Sequence, residues 1–375
     1  MKDGAEKMQT RMKSYSRIIA LFLAVIMSLG TLSGCHSNKN DRHNVSVTEE
    51  NKSLITMDVI DGKKVITDCL GRRVEIPENI EKISAMHIYG VKMIYAMQLQ
   101  DKAAFKLGIG DDFKNFAALD PSYAALPDSP AQGNGSTLTE ALLSLGVNVV
   151  LTNANNGPEE ADTYANAGMA AIAVRGETFE EVYETAKLLG FVFNKQHRAE
   201  ELVMFIDGKL KSITDKTAKL SDEDKPSVML CGPAGVYTCA TKEMFQNEMI
   251  ETAGGINAGA KFPGSKWAKI GAEDIIEMDP DCIILSNSCT DAEKAEVLSD
   301  PALQSVKAIK NKAVYIFPST LGWWDFPLPQ SILGISWLST VIQPEIFKDI
   351  DIKTLADEVY EFMYGYTYTE LGGEV

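Results

Sequence analysis

The chain has 375 residues, 45% of them apolar, which is enough for two domains of ordinary size. It carries 36 basic against 52 acidic side chains, a formal charge of −16. That balance excludes a nucleic-acid binder, which needs clustered Lys and Arg against phosphate. No P-loop, GxSxG elbow, HExxH helix or CxxC pair announces phosphate, hydrolase or zinc chemistry.

The N-terminus opens with a basic leader: Lys2, Lys7, Arg11, Lys13 and Arg17. An uncharged apolar run follows from Ile18 to Leu29, too short for a helix to span a hydrocarbon core. A basic region, a short apolar region and a small-residue exit form a secretory signal, placed at 1–34. The exit, Leu32-Ser33-Gly34-Cys35, resembles a bacterial lipobox, which makes Cys35 the expected lipid anchor. The leader holds five cations and two acids, so the chain beyond it carries −19. Residues 35–60 are polar, cannot bury a core, and are expected to form a flexible tether.

Short apolar runs then alternate with helical ones. Val65 to Cys69 and Val74 to Ile76 read as a small hairpin, Ile80 to Met86 as a strand, and Val91 to Leu99 as a helix. Phe105 to Ile109 reads as a strand. Thr137 to Leu145 reads as a helix, with Thr137 and Glu140 at capping-box spacing. Val147 to Thr152 and Ala170 to Val174 read as strands flanking a helix at Ala161 to Ala167. This order predicts an α/β lobe with a parallel sheet over 61–194.

The rhythm then breaks. Phe179 to Leu189 is amphipathic, and Gln196 to about Leu220 carries Leu202, Phe205, Ile206, Leu210 and Ile213 at spacings of three and four. Such a helix, placed at 195–222, is long enough to be a strut between lobes. A second α/β lobe follows over 223–375. Its expected strands are Val228 to Cys231, Val236 to Ala240, Cys282 to Leu285 and Ala313 to Phe317. Its expected helices are Met244 to Ala253, Glu273 to Met278, Ala302 to Ile309, Ile332 to Ile342 and Ile352 to Met363. Cys231 and Cys239 flank a Gly-Pro-x-Gly turn, so a disulfide across a hairpin and two buried thiols are both open.

The two halves share a local repeat. Thr139-Glu140-Ala141-Leu142-Leu143 to Leu151 parallels Ala272-Glu273-Asp274-Ile275-Ile276 to Leu285: a helix led by a glutamate, a turn, then a buried strand. Four stretches, in this order, make the chain resemble the ABC-importer binding proteins for iron–siderophores, haem and cobalamin. They are Ile66-Thr67-Asp68 through Gly71-Arg72 to Pro77; the strut after Leu189-Gly190; Lys266-Trp267 through Glu273 to Asp279-Pro280-Asp281; and Pro318-Ser319 through Trp323-Trp324-Asp325 to Trp337-Leu338. The resemblance covers about Val65 to Tyr364. It implies two Rossmann-like lobes on a rigid helix, a ligand cleft between them, and a monomer serving an ABC permease dimer with its ATPase from outside the cytoplasm. It also implies that Glu140 and Glu273 dock onto permease arginines, a contact suited to bidentate guanidinium pairing.

Ligand groups in such lobes sit on loops at the carboxyl ends of strands. In the first lobe that rule selects Met86, His87, Ile88 and Tyr89, then Asn134, Gly135 and Ser136, then Asn153 and Asn155; in the second, Tyr237, Lys266, Trp267, Ser286, Asn287, Trp323, Trp324 and Asp325. Of these, Tyr237, Trp267 and the Trp324-Asp325 pair match positions where cobalamin-binding relatives place aromatic and acidic contacts. Trp323 and Trp324 are adjacent, so one of them is expected to be packing. Haem needs axial donors, and of His36, His43, His87 and His197 only His87 is placed for a site. A bare metal needs several converging ligands, so no resident metal or cofactor is expected; the resemblance implies a metal chelate, and with no arginine in the second lobe's strand-end loops a neutral or cationic one, such as a corrinoid or hydroxamate siderophore, fits better. An oxyanion site stays open, as do two other roles for the scaffold, a cofactor-assembly enzyme and a sensor module.

Overall fold

The computed structural model describes residues 54–85, 87–107, 111–130 and 135–375, without the side chains of 111–114 and 135–137. The signal, Cys35 and most of the expected tether lie outside the described residues. The tether's last residues, however, form a strand, Thr56–Ile60 (β1), paired antiparallel with Lys63–Thr67 (β2). Asp61 and Gly62 make the turn with left-handed backbone (φ 52° and 81°), a geometry for which Asp-Gly is suited. Arg73–Glu75 (β3) completes this sheet. Buried Asp68 ties the sheet to the first lobe: its carboxylate accepts from Arg72 N–H (2.9 Å), from the Arg72 guanidinium (3.1 Å) and from Ala173 N–H (3.1 Å).

In the first lobe Lys82–Ala85 (β4), Val147–Asn153 (β5) and Ala170–Val174 (β6) form a parallel sheet in that order. Their near-continuous apolar runs, buried throughout in β6, fit a sheet covered on both faces. Ile88–Ala96 (α1), Asp111–Leu119 (α2), Pro121–Ala124 (α3), Gly135–Ser144 (α4) and Pro158–Asn166 (α5) connect the strands. Two expectations fail here. Phe105 is buried but sits in a bend, and among the described residues the pairing nearby is a bridge from Ile83 to Ala103, so Phe105 and Leu107 are core without being strand; Gly108 and Ile109 lie outside the described residues. The helix begins at Gly135, so Thr137 lies inside its first turn and is not the cap.

Phe179–Phe193 (α6) leads into Gln196–Thr217 (α7), the strut. Its 22 residues span about 33 Å at about 1.5 Å each. Leu202, Ile206 and Ile213 are buried along one face, and Phe205 stacks on Phe362 at 4.0 Å.

The second lobe holds Ser227–Leu230 (β7), Thr238–Cys239 (β8), Phe245–Thr252 (α8), Ile256–Asn257 (β9), Ala268–Lys269 (β10), Ala272–Met278 (α9) and Cys282–Leu285 (β11). Asp291–Ser299 (α10), Lys307–Lys310 (α11), Val314–Ile316 (β12), Ile332–Ile342 (α12), Pro344–Phe347 (α13) and Ile352–Tyr364 (α14) close the chain. The parallel sheet runs β12-β11-β7-β9, so both edges of β7 are taken. β8 therefore pairs with β10 and not with β7, and Cys231 and Cys239 are free buried thiols. The helix expected over Ala302 to Ile309 shrinks to α11, because Asp300 folds Ala302 and Leu303 into turns (2.9 and 3.1 Å). A helix unforeseen in the sequence, α10, is opened by a Thr290–Glu293 capping box.

The closing helix also reaches the first lobe. Residues 352–375 pack on both lobes: Tyr360 donates to the Leu321 carbonyl and Tyr364 to Gln330 in the second lobe. Helix α14 packs on α1, where the Tyr364 and Tyr95 rings lie 6.4 Å apart. Arg198 of the strut donates to the carbonyls of Ala96 (2.8 Å) and Phe362 (2.9 Å), joining strut, first lobe and α14. One hydrophobic core thus runs from the first lobe through α7 into α8, α12 and α14. Bending the lobes apart would break that core.

Candidate functional site

The carboxyl ends of β7, β11 and β12 bring a set of second-lobe residues together. Asp325 is buried, and one carboxylate oxygen accepts from Ser286 Oγ, the first residue after β11, at 2.8 Å. Burial raises the Asp325 pKa; the Ser286 hydroxyl and the N–H groups of Asp325 and Asn287 oppose that rise. Gln246 of α8 donates to the Asp325 carbonyl at 2.7 Å. These bonds pin the loop 323–326 across the strand ends and fix which side chains face out. Trp323 and Phe326 are 41% and 40% exposed, with ring centroids 5.4 Å apart in an edge-to-face arrangement.

Trp324 points the other way. It is fully buried against Tyr368, with centroids 5.5 Å apart, and Gly334 leaves room for its carbonyl. As a ligand contact Trp324 is therefore corrected to a core residue. Trp267 is half-buried with its ring on Gly232, just past β7, where any side chain would collide with it. Tyr237 is exposed but its hydroxyl donates to Asp300 at 2.7 Å. Lys266 is exposed on the approach to Trp267. Asp325 and Asn287 are thus joined by one set of bonds, and Trp323 is carried beside them on the same loop. Ser286, which the strand-end rule also selects, belongs with them, as does Phe326, which was not among the residues singled out in the sequence.

The first lobe is less open. His87 caps α1, its Nδ1 accepting from Gly90 N–H at 3.3 Å. Its Nε2 is buried toward the Leu151 carbonyl, and burial pushes the imidazole down to about 4, so it is neutral at ordinary pH. Tyr89 is also turned inward, its ring filling the space left by Gly176. Tyr89 is thus an interior residue of the lobe, whereas His87 is half-buried with its imidazole taken up in capping α1. Asn153 ends β5 and its side chain accepts from Asn155 N–H at 3.0 Å, which closes a turn. Met86, Asn134 and the side chain of Ser136 lie outside the described residues. Arg175 directly follows β6, and the strand-end rule applied to that strand would have found it. Its guanidinium pairs with Glu181 at 2.6 Å, and Asn155 donates to Glu177 at 2.7 Å beside it. The cation at this edge is neutralised within its own lobe.

Glu140 lies on α4 and Glu273 in the first turn of α9; both are exposed. Capping of α9 falls to Asp274, which accepts from Gly271 N–H at 2.7 Å. Glu273 and Glu140 have no ion pair or side-chain hydrogen bond among the described residues. Among the described residues, no helix is long and apolar enough to cross a membrane and no group of three or more His, Cys, Asp and Glu gathers as for a metal.

Comparisons place this geometry among known proteins. A family model described as periplasmic binding protein matches residues 131–321. The chain is 25% identical over 334 residues to the molybdate-binding protein MolA of Haemophilus influenzae, covering 81% of this chain and 92% of the relative. It is 24% identical over 337 residues to YvrC of Bacillus subtilis, an ABC transporter substrate-binding lipoprotein, covering 88% of this chain and 97% of that one. A solved periplasmic solute binding protein from Veillonella parvula superposes with a TM-score of 0.66 at 27% identity, covering 83% of this chain and 96% of the other.

Proposed function

Because the chain belongs to the periplasmic binding protein family and is the substrate-binding component of an ABC transporter, we propose that it is a lipid-anchored receptor for a metal chelate. The chelate belongs to the iron–siderophore, cobalamin or haem class, is held between the lobes, and is delivered to the permease. Relatives that bind and deliver solutes set aside the enzyme role for this scaffold.

The observation that carries the ligand class is the outward ring pair, Trp323 and Phe326, pinned over the strand ends by Asp325. Rigid aromatic surface next to a few fixed polar groups suits a bulky ligand that is part apolar and part polar. His87 is turned inward and neutral, which favours a corrinoid or ferric hydroxamate over haem held through that residue. A molybdate-like oxyanion is the second reading, favoured by the relative MolA. The Asp325 carboxylate at the strand ends, and the pairing of Arg175 with Glu181, count against it.

Delivery rests on three further assignments. Cys35 carries the lipid that holds the receptor at the membrane, 36–55 serve as the tether, and Glu140 and Glu273 meet arginines of the permease. Thermal shifts of the tether-free protein with cobalamin, ferric hydroxamates, ferric catecholates, ferric citrate, haem and molybdate test the ligand class. A saturable shift with one of the chelates supports it. A shift with molybdate alone contradicts it in favour of the oxyanion reading.

A further inference from the structure

The two docking helices repeat more than a glutamate. Over 140–145 and over 273–278 the pattern of exposure is the same at every position: exposed, half-buried, buried, exposed, exposed, half-buried. Leu142 and Ile275 point inward and are 0% exposed, fastening each helix to its lobe. Leu143 and Ile276 point outward and are 45% and 41% exposed. Each lies three residues after its glutamate, and residues at that spacing share one face of a helix. Each helix then turns through a left-handed residue, Gly146 or Asp279, toward an interior strand of its sheet, β5 or β11.

Single exposed aliphatics are ordinary on a protein surface. Two at one repeated position, each beside a carboxylate with no ion pair among the described residues, are a duplicated surface. A carboxylate in open water gains about 1 kcal/mol or less from a guanidinium. An apolar side chain seated beside the pair excludes water and strengthens it.

We propose that Leu143 and Ile276 are contact residues for the permease dimer, each covering the carboxylate–guanidinium pair made by Glu140 or Glu273. This rests on the docking role proposed for those glutamates. The occupant is the two-fold permease of the same transporter, because the motif occurs once per lobe and a two-fold partner offers one matching patch per subunit.

Photo-crosslinking residues at positions 143 and 276 of the full lipoprotein test this in cells, with position 204 on α7 as control; Met204 there is 69% exposed. The expected result is a permease adduct at 143 and 276 and none at 204. The Leu143→Ser/Ile276→Ser pair is expected to weaken association with the purified permease–ATPase complex about tenfold or more, with unchanged melting temperature. Equal adducts at all three positions, or no loss of association in the double variant, overturn the inference. If Glu140→Lys/Glu273→Lys still abolishes association, the docking role survives that failure. If those reversals are also silent, the docking role itself falls.

Discussion

Ser286 Oγ donates to Asp325 at 2.8 Å across 39 positions of the chain. This one bond ties the loop after β12 to the end of β11 and decides which of two adjacent tryptophans faces out. Asp325→Ala leaves the Ser286 hydroxyl buried without its acceptor, at a cost of about 1–3 kcal/mol. Denaturant unfolding should show that loss, and a cycle with Ser286→Ala should show coupling between the two. Ligand affinity should fall as well, because Trp323 and Phe326 lose their fixed orientation. Unchanged affinity in an unlocked loop would sink the role of this aromatic edge.

Trp323 and Trp324 should separate cleanly. Trp324→Ala empties a fully buried site and is expected to cost about 3–5 kcal/mol. Trp323→Ala and Phe326→Ala should change stability by about 0.5 kcal/mol or less, as exposed substitutions do. The same two should weaken binding of the stabilising chelate at least tenfold, about 1.4 kcal/mol. Calorimetry of both properties on all three variants checks the division.

Much of this was legible in the sequence, and the losses have a common cause. The parallel strands, the strut and the repeated helices follow from local periodicity, and the structure carries each of them. Long-range contacts are what the sequence hid. Adjacency shows that Trp323 and Trp324 differ, but Ser286 chooses between them. His87 and Tyr89 turn inward because of Gly90 and Gly176, whose missing side chains leave the space. Helix α14 reads as a closing helix of the second lobe, and its added contacts with the first, through Arg198 and Tyr95, are not legible locally. Two local signals were present and passed over: Asp61-Gly62 as a hairpin turn, and Thr290 with Glu293 as a capping box.

Stability should depend on pH through Glu248, where the lobes meet. Phe245 of the same helix lies 5.3 Å from Phe179 of α6. Burial pushes the Glu248 carboxyl from 4.5 up to about 6; the Phe179 N–H opposes this, and Glu181 and Glu251 add to it. The native state therefore holds this proton to higher pH than the unfolded chain, and stability falls as pH rises from about 4.5 to about 6. Glu248→Gln should stabilise the protein by about 1–2 kcal/mol above that window and by nothing below it. His87 acts in the opposite direction as pH falls toward 4, but equally in both proteins, so their difference isolates Glu248. A pH-independent difference would contradict the assignment.

Membrane attachment is expected to depend on one atom. Cys35→Ala should move the protein from the membrane fraction to the soluble exported fraction, because no acyl chain can then be attached. Fractionation of cells expressing each form reads this directly, and equal membrane retention would remove the anchor from the account.

The central claim is a receptor that holds its ligand between two lobes and delivers it through a separate, duplicated surface. The most direct test is the Glu140→Lys/Glu273→Lys variant, measured in parallel for ligand affinity in solution and for ligand-dependent stimulation of the permease-coupled ATPase. Unchanged affinity with stimulation lost is the result this account predicts. Weakened affinity with stimulation intact once ligand is saturating would contradict it, because the glutamates would then belong to the ligand site and not to the docking surface.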